Sequence, residues 1–293
     1  MYLLIGGSGF LGRYLIKNIL SETTDSIIAT DRTPQTSDNP RLHWEKCDIC
    51  DMADIERLNK ICAEEENLKV VFLAAYHHPD LVMKNPKTAW QVNVICLAEF
   101  LNRMDNIKTL YYPSTEVVYG QGIDGYRFKE NDALHPANRY GAHKTVAERM
   151  VNVAGFNAVR FPVLMGPSLV PGKKHFYDEI VETVKNGGTM EMFEDQKRSM
   201  LDFNTAAKML IKLMKTPEAR QYPIVNICGD EALSKYELGK RIARRHGLDE
   251  SKILPIRMDD DSKIFAAKRA KETLLDNSLL KKILGLTELK IKV

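Results

Sequence analysis

The sequence predicts an α/β chain whose centre is a doubly wound parallel sheet, with a small C-terminal α/β lobe beside it. Two observations carry this. Short apolar runs alternate with helically spaced segments along the first 160 residues, and such alternation is the signature of parallel strands joined by crossover helices. The first apolar run also ends in a glycine-rich turn that opens directly into a helix, as in dinucleotide-binding (Rossmann) sheets.

Taken in order, "YLLIG" (2–6) is a buried strand and "FLGRYLIKNIL" (10–20) a helix with Leu11, Leu15, Ile16 and Ile19 on one face. "SIIATD" (26–31) is the second strand, followed by a Pro/Ser/Asp-rich loop and a helix over roughly 52–66. "KVVFLAAY" (69–76) is the third buried run, and 86–104 reads as one long helix. The strand "KTLYYPS" (108–114), the helix 140–154 and the strand "FNAVRFP" (156–162) complete the regular part. Beyond residue 163 the pattern loosens, with helices expected at 176–187, 234–247 and 276–284 and one more sheet strand in "YPIVNIC" (222–228). The expected division is a nucleotide-binding domain over 1–162, completed by about 200–228, and a substrate lobe from 163–199 and 229–293.

Composition narrows the function. The 293 residues are 44% hydrophobic and 28% charged with a formal net charge of +3. Basic and acidic residues are interleaved, which is the pattern of a solvated surface rather than of a nucleic-acid or membrane face. The basic end of "SKYELGKRIARRHG" (Arg244, Arg245, His246) suits a helix C-terminus through the macrodipole alone. Five cysteines, an odd and low count, point to a reducing compartment. No run of 18 apolar residues exists, and the apolar start lacks a basic flank and is broken by glycines and Arg13, so a cytoplasmic chain is expected.

"GGSGFLG" (6–12) fits a phosphate cradle through Gly6, Gly7, Gly9 and Gly12. Glycines there allow a tight turn and let backbone N–H groups and a helix N-terminus face a pyrophosphate. Asp31 closes the second strand 19 residues after Gly12, where an acid meets the adenosine ribose hydroxyls. A carboxylate at that point repels a 2′-phosphate and favours NAD, while Arg32 beside it is a cation that accepts one, which keeps NADP open.

"YGAHK" places Tyr140 and Lys144 one helical turn apart on the same face. Free tyrosine, with a pKa of about 10, is a poor base at neutral pH. A neighbouring ammonium favours the phenolate and lowers that value, making an acid/base for a carbonyl or alcohol oxygen. Thr115, at the end of "TLYYPS", supplies a hydroxyl near the carboxyl edge of the sheet.

With these motifs in sequence, and with "CDICD" (47–51), "LAAY" (73–76), "NPKTAWQVNV" (85–94), "PSTEVVYG" (113–120), "RFPVLMGP" (160–167) and "LLDNSLLKKILG" (274–285), the chain resembles the extended short-chain dehydrogenase/reductase family. The nearest group in it is the nucleotide-sugar epimerases, dehydratases and 4-keto reductases, the dTDP-4-dehydrorhamnose reductases among them. The resemblance implies Tyr140 as acid/base, Lys144 as its modulator and cofactor anchor, and Thr115 as the substrate-orienting hydroxyl. It implies cofactor contacts from Phe10, Leu11, Asp48, Ile49, Ala74, Ala75, Tyr76 and Phe161, with Asn93 supporting the site. On the substrate side it implies Glu116, Val163, and Arg198 and Arg269 for a sugar-nucleotide diphosphate. It further implies a homodimer through a contact that includes the helix 140–154.

Departures inside the family favour a reductase. Dehydratases of this type carry "STDEVYG" and this chain carries "STEVVYG", so Val117 stands where a proton-exchanging glutamate is needed. Val163 stands where epimerases carry a substrate-contacting asparagine. An epimerase that retains its NAD, and a regulatory subunit that binds the cofactor without turnover, are the alternatives. Cys47 and Cys50 have metal or redox spacing, but no second Cys/His pair accompanies them, and no metal site is expected. His77 and His78 follow a strand end and face the cleft in this reading.

Overall fold

A computed structural model describes residues 1–258 and 265–293. Of the lobe segment 229–293, residues 259–264 therefore lie outside the described residues. The centre is a seven-stranded sheet. Its strands are β1 (Tyr2–Ile5), β2 (Ile27–Asp31), β3 (Leu42–Lys46), β4 (Leu68–Phe72), β5 (Ile107–Thr115), β6 (Asn157–Phe161) and β7 (Ile224–Asn226). They lie in the order β7-β6-β5-β4-β1-β2-β3, and every pairing is parallel. The order reverses between β1 and β4, which opens a crevice at their carboxyl ends.

Helices cover both faces. On one, α1 (Phe10–Glu22) packs against α8 (Phe203–Lys215), with Leu15, Ile19, Leu210 and Leu213 fully buried. On the other lie α2 (Met52–Ile61), α5 (Cys96–Arg103) and α6 (Arg139–Val153), closing over Leu3, Ile5, Val70, Phe72 and Tyr112. Beside the carboxyl edge, α7 (Phe176–Lys185) and α9 (Lys235–Arg245) pack around Ile180, Leu238 and Ile242, next to the short paired strands Met190–Phe193 and Ile253–Ile256. A second small sheet joins Leu233–Ser234, Lys197–Arg198, Glu272–Leu275 and Arg127–Phe128, and α10 (Ser278–Leu284) follows it.

Several elements differ from the sequence reading. β3 lies inside the stretch read as loop: "LHWEK" is an edge strand with no fully buried residue, so it lacks the apolar run that marks the central strands. Helix α2 stops at Ile61 rather than near 66, because Glu64, Glu65 and Glu66 would crowd negative charge onto a helix C-terminus. The helix read over 86–104 is broken into α4 (Pro86–Trp90), a π-helical turn (Gln91–Ile95) and α5, and the short helix α3 (Pro79–Lys84) before it had no counterpart in the reading. Helix α8 had no counterpart in the reading, although Asp202 caps it by accepting from the Thr205 N–H at 2.8 Å.

Candidate active site

The cradle is backbone-built. Gly6 has φ +78°, a conformation that favours glycine. A Cβ on Gly7 would stand 2.9 Å from the Ala29 Cβ, and one on Gly12 would collide with the Gly7 carbonyl. The turn is thus pressed between β1, β2 and α1, with no room for a side chain at Gly7 or Gly12. It opens onto a cleft of about 290 Å³ lined by Gly6, Gly9, Asp31, Arg32, Asp48, Ile49, Ala74, Ala75 and Tyr76. Ser8, Thr30, Cys47, Cys50, Leu73, His77 and Val92 line it as well; of these, only His77 was singled out by the sequence as facing a cleft.

Other predicted cofactor residues stand behind the wall. Asn93 accepts from the Tyr76 N–H at 2.7 Å and donates to the Tyr76 carbonyl at 3.1 Å, pinning the segment after β4. The π-helical turn puts it there, a use to which such turns are often put. Phe10 packs edge-on against His175 and beside Phe203, Leu11 packs against the core, and Phe161 is buried at the end of β6 in register with Thr115. Cys50 is joined to Cys96 in a disulfide, with Cα atoms 5.2 Å apart, a pairing the sequence did not suggest. Cys47 is free and buried.

Asp31 is already engaged. Its carboxylate accepts from the Thr33 N–H at 3.2 Å and from Gln35 at 3.3 Å, and Gln35 in turn accepts from Arg13 at 2.9 Å. The Arg13 guanidinium sits 4.7 Å from the centre of the Trp44 ring.

Strand β5 and helix α6 carry the residues the sequence singled out as catalytic, Thr115, Tyr140 and Lys144. Helix α6 begins at Arg139 because Asn138 accepts from the Gly141 N–H at 3.0 Å. Gly141 lets the helix approach closely: a Cβ there would lie 2.8 Å from the Pro136 Cβ and 3.0 Å from the Val117 carbonyl. That contact brings Tyr140 beside the turn that holds Thr115 and Glu116. The buried Lys144 ammonium donates to the Pro113 carbonyl at 2.8 Å. It lies 4.3 Å from the Tyr112 ring centre and 5.9 Å from that of Tyr140.

The electrostatics correct one expectation. Lys144 does not lower the Tyr140 pKa: burial of the phenol, reinforced by the Glu116 carboxylate, pushes it well above its ordinary value. Burial also drives the Lys144 ammonium down to about 7, with the Glu148 carboxylate opposing. Tyr140 therefore holds its proton at neutral pH. Below Lys144 on the same helix, Glu148 accepts two hydrogen bonds from Arg160 at 3.0 and 2.7 Å, both residues being buried.

The substrate-side residues are less free than expected. The Arg198 guanidinium donates to the carbonyls of Lys197 and Lys271 at 2.7 and 3.0 Å and of Ala270 at 2.7 Å, and its Nε lies 3.5 Å from Glu116. Arg269 forms an ion pair with Asp80 at 3.2 Å. Neither arginine presents the open fork that a diphosphate wants. Val163 is partly buried against the α7/α9 cluster. Among the described residues, no group of three or more His, Cys, Asp or Glu side chains forms a metal site.

Comparison with known proteins bears directly on this arrangement. The family model described as "RmlD substrate binding domain" matches residues 1–291. The chain belongs to the RmlD substrate binding domain family. This agrees with the resemblance read from its motifs. The chain is also 29% identical over 170 residues to the dTDP-glucose 4,6-dehydratase of Haemophilus influenzae, 51% of this chain and 49% of that one. It thus spans about half the length of the dehydratases it matches. It is 26% identical over 285 residues, 95% of this chain and 80% of the other, to the methionine adenosyltransferase 2 subunit beta of Bos taurus. Among solved structures, a hypothetical dTDP-4-dehydrorhamnose reductase from Sulfolobus tokodaii superposes with a TM-score of 0.78 at 22% identity, covering 100% of this chain and 97% of the other. The dTDP-4-dehydrorhamnose reductase of Bacillus anthracis, in complex with NADP, superposes at 0.81 with 20% identity over 99% and 94%.

Proposed function

We propose that this member of the RmlD substrate binding domain family is an NAD(P)-dependent oxidoreductase acting on a nucleotide-activated sugar, and specifically a 4-keto-sugar-nucleotide reductase. The observations that carry the reductive direction are Val117 and Val163, which stand where a dehydratase needs a proton-exchanging glutamate and an epimerase a substrate-contacting asparagine; the Tyr140 phenol is the proton donor in this reading. A phenol that stays protonated at neutral pH is an acid, and reduction of a ketone requires a proton donor at the carbonyl oxygen. Bound NAD(P)H would supply the hydride.

The nucleotide wall fits such a cofactor. The glycine turn leaves the space a pyrophosphate needs, and Asp31, Asp48 and Ile49 face the cleft beyond it. Asp31 supports NAD, while Arg13 and Arg32 nearby leave NADP as an accepted second cofactor. Lys144 fixes α6 against β5 through the Pro113 carbonyl, one helical turn from Tyr140. Segments 163–199 and 229–293 supply the substrate lobe in this reading. Trp90, Ile95 and Val146, exposed apolar side chains on α4, the π-turn and α6, support a homodimer through that face. No helix among the described residues is long and apolar enough to cross a membrane. A cytoplasmic location remains part of the proposal.

The test is a panel of dTDP-, UDP-, GDP- and CDP-linked 4-keto sugars assayed with NADH and NADPH. Stoichiometric cofactor oxidation that disappears in Tyr140→Phe supports the reductase. Inversion of the sugar without net cofactor oxidation would replace it with an epimerase. A second reading, a cofactor-binding subunit without turnover, draws on the likeness along 95% of the chain to a protein named as a subunit. Cofactor binding with no turnover on any sugar would favour it.

A further inference from the structure

Thr115, Glu116 and Arg198 form one connected unit at the end of β5. The Thr115 hydroxyl donates to Glu116 Oε2 at 3.0 Å and accepts from the Val117 N–H at 3.3 Å. The other carboxylate oxygen of Glu116 lies 3.5 Å from Arg198 Nε. Arg198 is held in place by three backbone carbonyls, from Lys197, Ala270 and Lys271. Both charged side chains are sealed from water, Glu116 being 4% and Arg198 7% exposed. Both terminal nitrogens of that guanidinium donate to backbone carbonyls rather than pointing freely at a phosphate.

A hydroxyl has one proton and two acceptor positions. While Glu116 is a carboxylate, the Thr115 proton points at it and one acceptor position is taken by Val117. What remains toward the cleft is a lone pair, which suits an alcohol O–H and does nothing for a carbonyl oxygen. If Glu116 carries a proton, its carboxyl O–H donates to Thr115 Oγ. The Thr115 proton is then released toward the cleft and suits a carbonyl.

We propose that the Glu116–Arg198 pair is a positioning device that sets the direction of the Thr115 hydroxyl, and thereby whether the site favours the carbonyl or the alcohol form of its substrate. Arg198 is then a clamp on Glu116 rather than a ligand of the diphosphate. This rests on the nucleotide-sugar oxidoreductase reading and adds the control of oxidation level at the same site.

The surroundings allow Glu116 to change state. Burial pushes its carboxyl up, and Arg198 and the Thr115 hydroxyl pull it back. Tyr140 faces it from α6. Around Arg198 stand Glu272 and Arg269, and Lys235 adds a further cation from the start of α9. A raised carboxyl is protonated at the acid end of the working range and ionised at the alkaline end, so carbonyl binding is favoured at low pH and alcohol binding at high pH.

The test titrates the cofactor-loaded chain with dTDP-4-dehydrorhamnose and dTDP-rhamnose, which differ only in oxidation level at C4, from acid to alkaline pH. The ketone-to-alcohol affinity ratio should fall roughly tenfold or more across the range, as expected for a hydrogen bond to a charged group. In Glu116→Gln, which cannot ionise, the ratio should be flat. In Arg198→Gln the transition should move to higher pH, because the cation that favours the carboxylate is gone. A ratio that still falls in Glu116→Gln, or losses that weaken both sugars equally at every pH, would overturn the proposal. If neither sugar binds, this pair is not the substrate and product, and infrared difference titration of the free chain decides the proposal. The Glu116 carboxyl band should shift in Thr115→Val, and a band that does not move rejects the coupling.

Discussion

The two walls of the cleft are made differently. The nucleotide wall, from β1 to β4, is shaped by backbone: a turn too crowded for a Cβ at Gly7 or Gly12, and a segment after β4 pinned through the Tyr76 peptide groups by Asn93. The catalytic wall, from β5 and α6 into the lobe, is shaped by buried charged side chains: Glu116 with Arg198, Glu148 with Arg160, and Lys144 on a carbonyl. A backbone wall is damaged by adding atoms and tolerates side-chain changes. A side-chain wall is damaged by removing a charge and leaving its partner buried. The contrast can be broken by experiment.

The largest effect is expected at Tyr140. Tyr140→Phe keeps the ring and removes the proton donor, so turnover should drop about 10²- to 10⁴-fold. Cofactor affinity, measured by fluorescence titration, should stay within about twofold, because the opposite wall holds the nucleotide. A large loss of cofactor affinity would show that the two walls are not separable.

Next comes Glu148→Gln, which strands the buried Arg160 guanidinium. Unfolding free energy should fall by about 3–5 kcal/mol in denaturant titration. The counterpart on the nucleotide wall is Gly12→Ala, whose new methyl meets the Gly7 carbonyl. It should cost about 1–3 kcal/mol of stability as overpacking, and cofactor binding should weaken as the cradle shifts. If Gly12→Ala were harmless while binding persisted, the cradle would not be the backbone device described.

The contrast also explains what could be read from the sequence. The cradle was legible because its determinants are local: glycines at fixed spacing, an acid at the next strand end, a helix directly after. Tyr140 and Lys144 were legible for the same reason, one turn apart on one helix. The roles of Arg198 and Arg269 were not, since their partners Glu116 and Asp80 lie 82 and 189 residues away in sequence, as the numbering shows. Nothing local announces such pairs. The direction of the Tyr140 shift escaped for a related reason: adjacency to a lysine is visible in a sequence, whereas burial and a facing carboxylate are not. Edge strand β3 and helix α8 escaped because an exposed edge and a segment beyond the regular alternation carry weaker patterns.

A pH series tests Lys144. Its folded pKa, about 7, lies below the ordinary lysine value. Between pH 7 and the unfolded lysine value the unfolded chain therefore binds more protons, and stability must rise with pH through that window. The slope from this group should approach about 1.4 kcal/mol per pH unit. Thermal or denaturant midpoints followed from pH 6 to 10 should show the rise, and Lys144→Met should flatten it. A slope unchanged by the substitution would mean that Lys144 stays charged in the fold.

The smallest effect is expected at Asp31, where the nucleotide wall uses a side chain after all. Its carboxylate is shared among the Thr33 N–H and Gln35, and Gln35 ties it to Arg13 on the Trp44 ring. A 2′-phosphate arriving there meets one negative charge and the two guanidinium groups of Arg13 and Arg32, so repulsion and attraction partly cancel. Asp31→Asn removes the repulsion and keeps one acceptor for the Thr33 N–H, while its amide nitrogen no longer accepts from Gln35. The ratio of NADPH to NADH affinity should rise about tenfold, the equivalent of roughly 1.4 kcal/mol, with no change in the sugar-dependent step. A much larger rise would mean that Asp31 alone decides the cofactor and that the nucleotide wall relies on a side chain as heavily as the catalytic one. No rise would mean that Arg13 is held too firmly by Gln35 and Trp44 to reach a phosphate, leaving recognition on this side to the backbone.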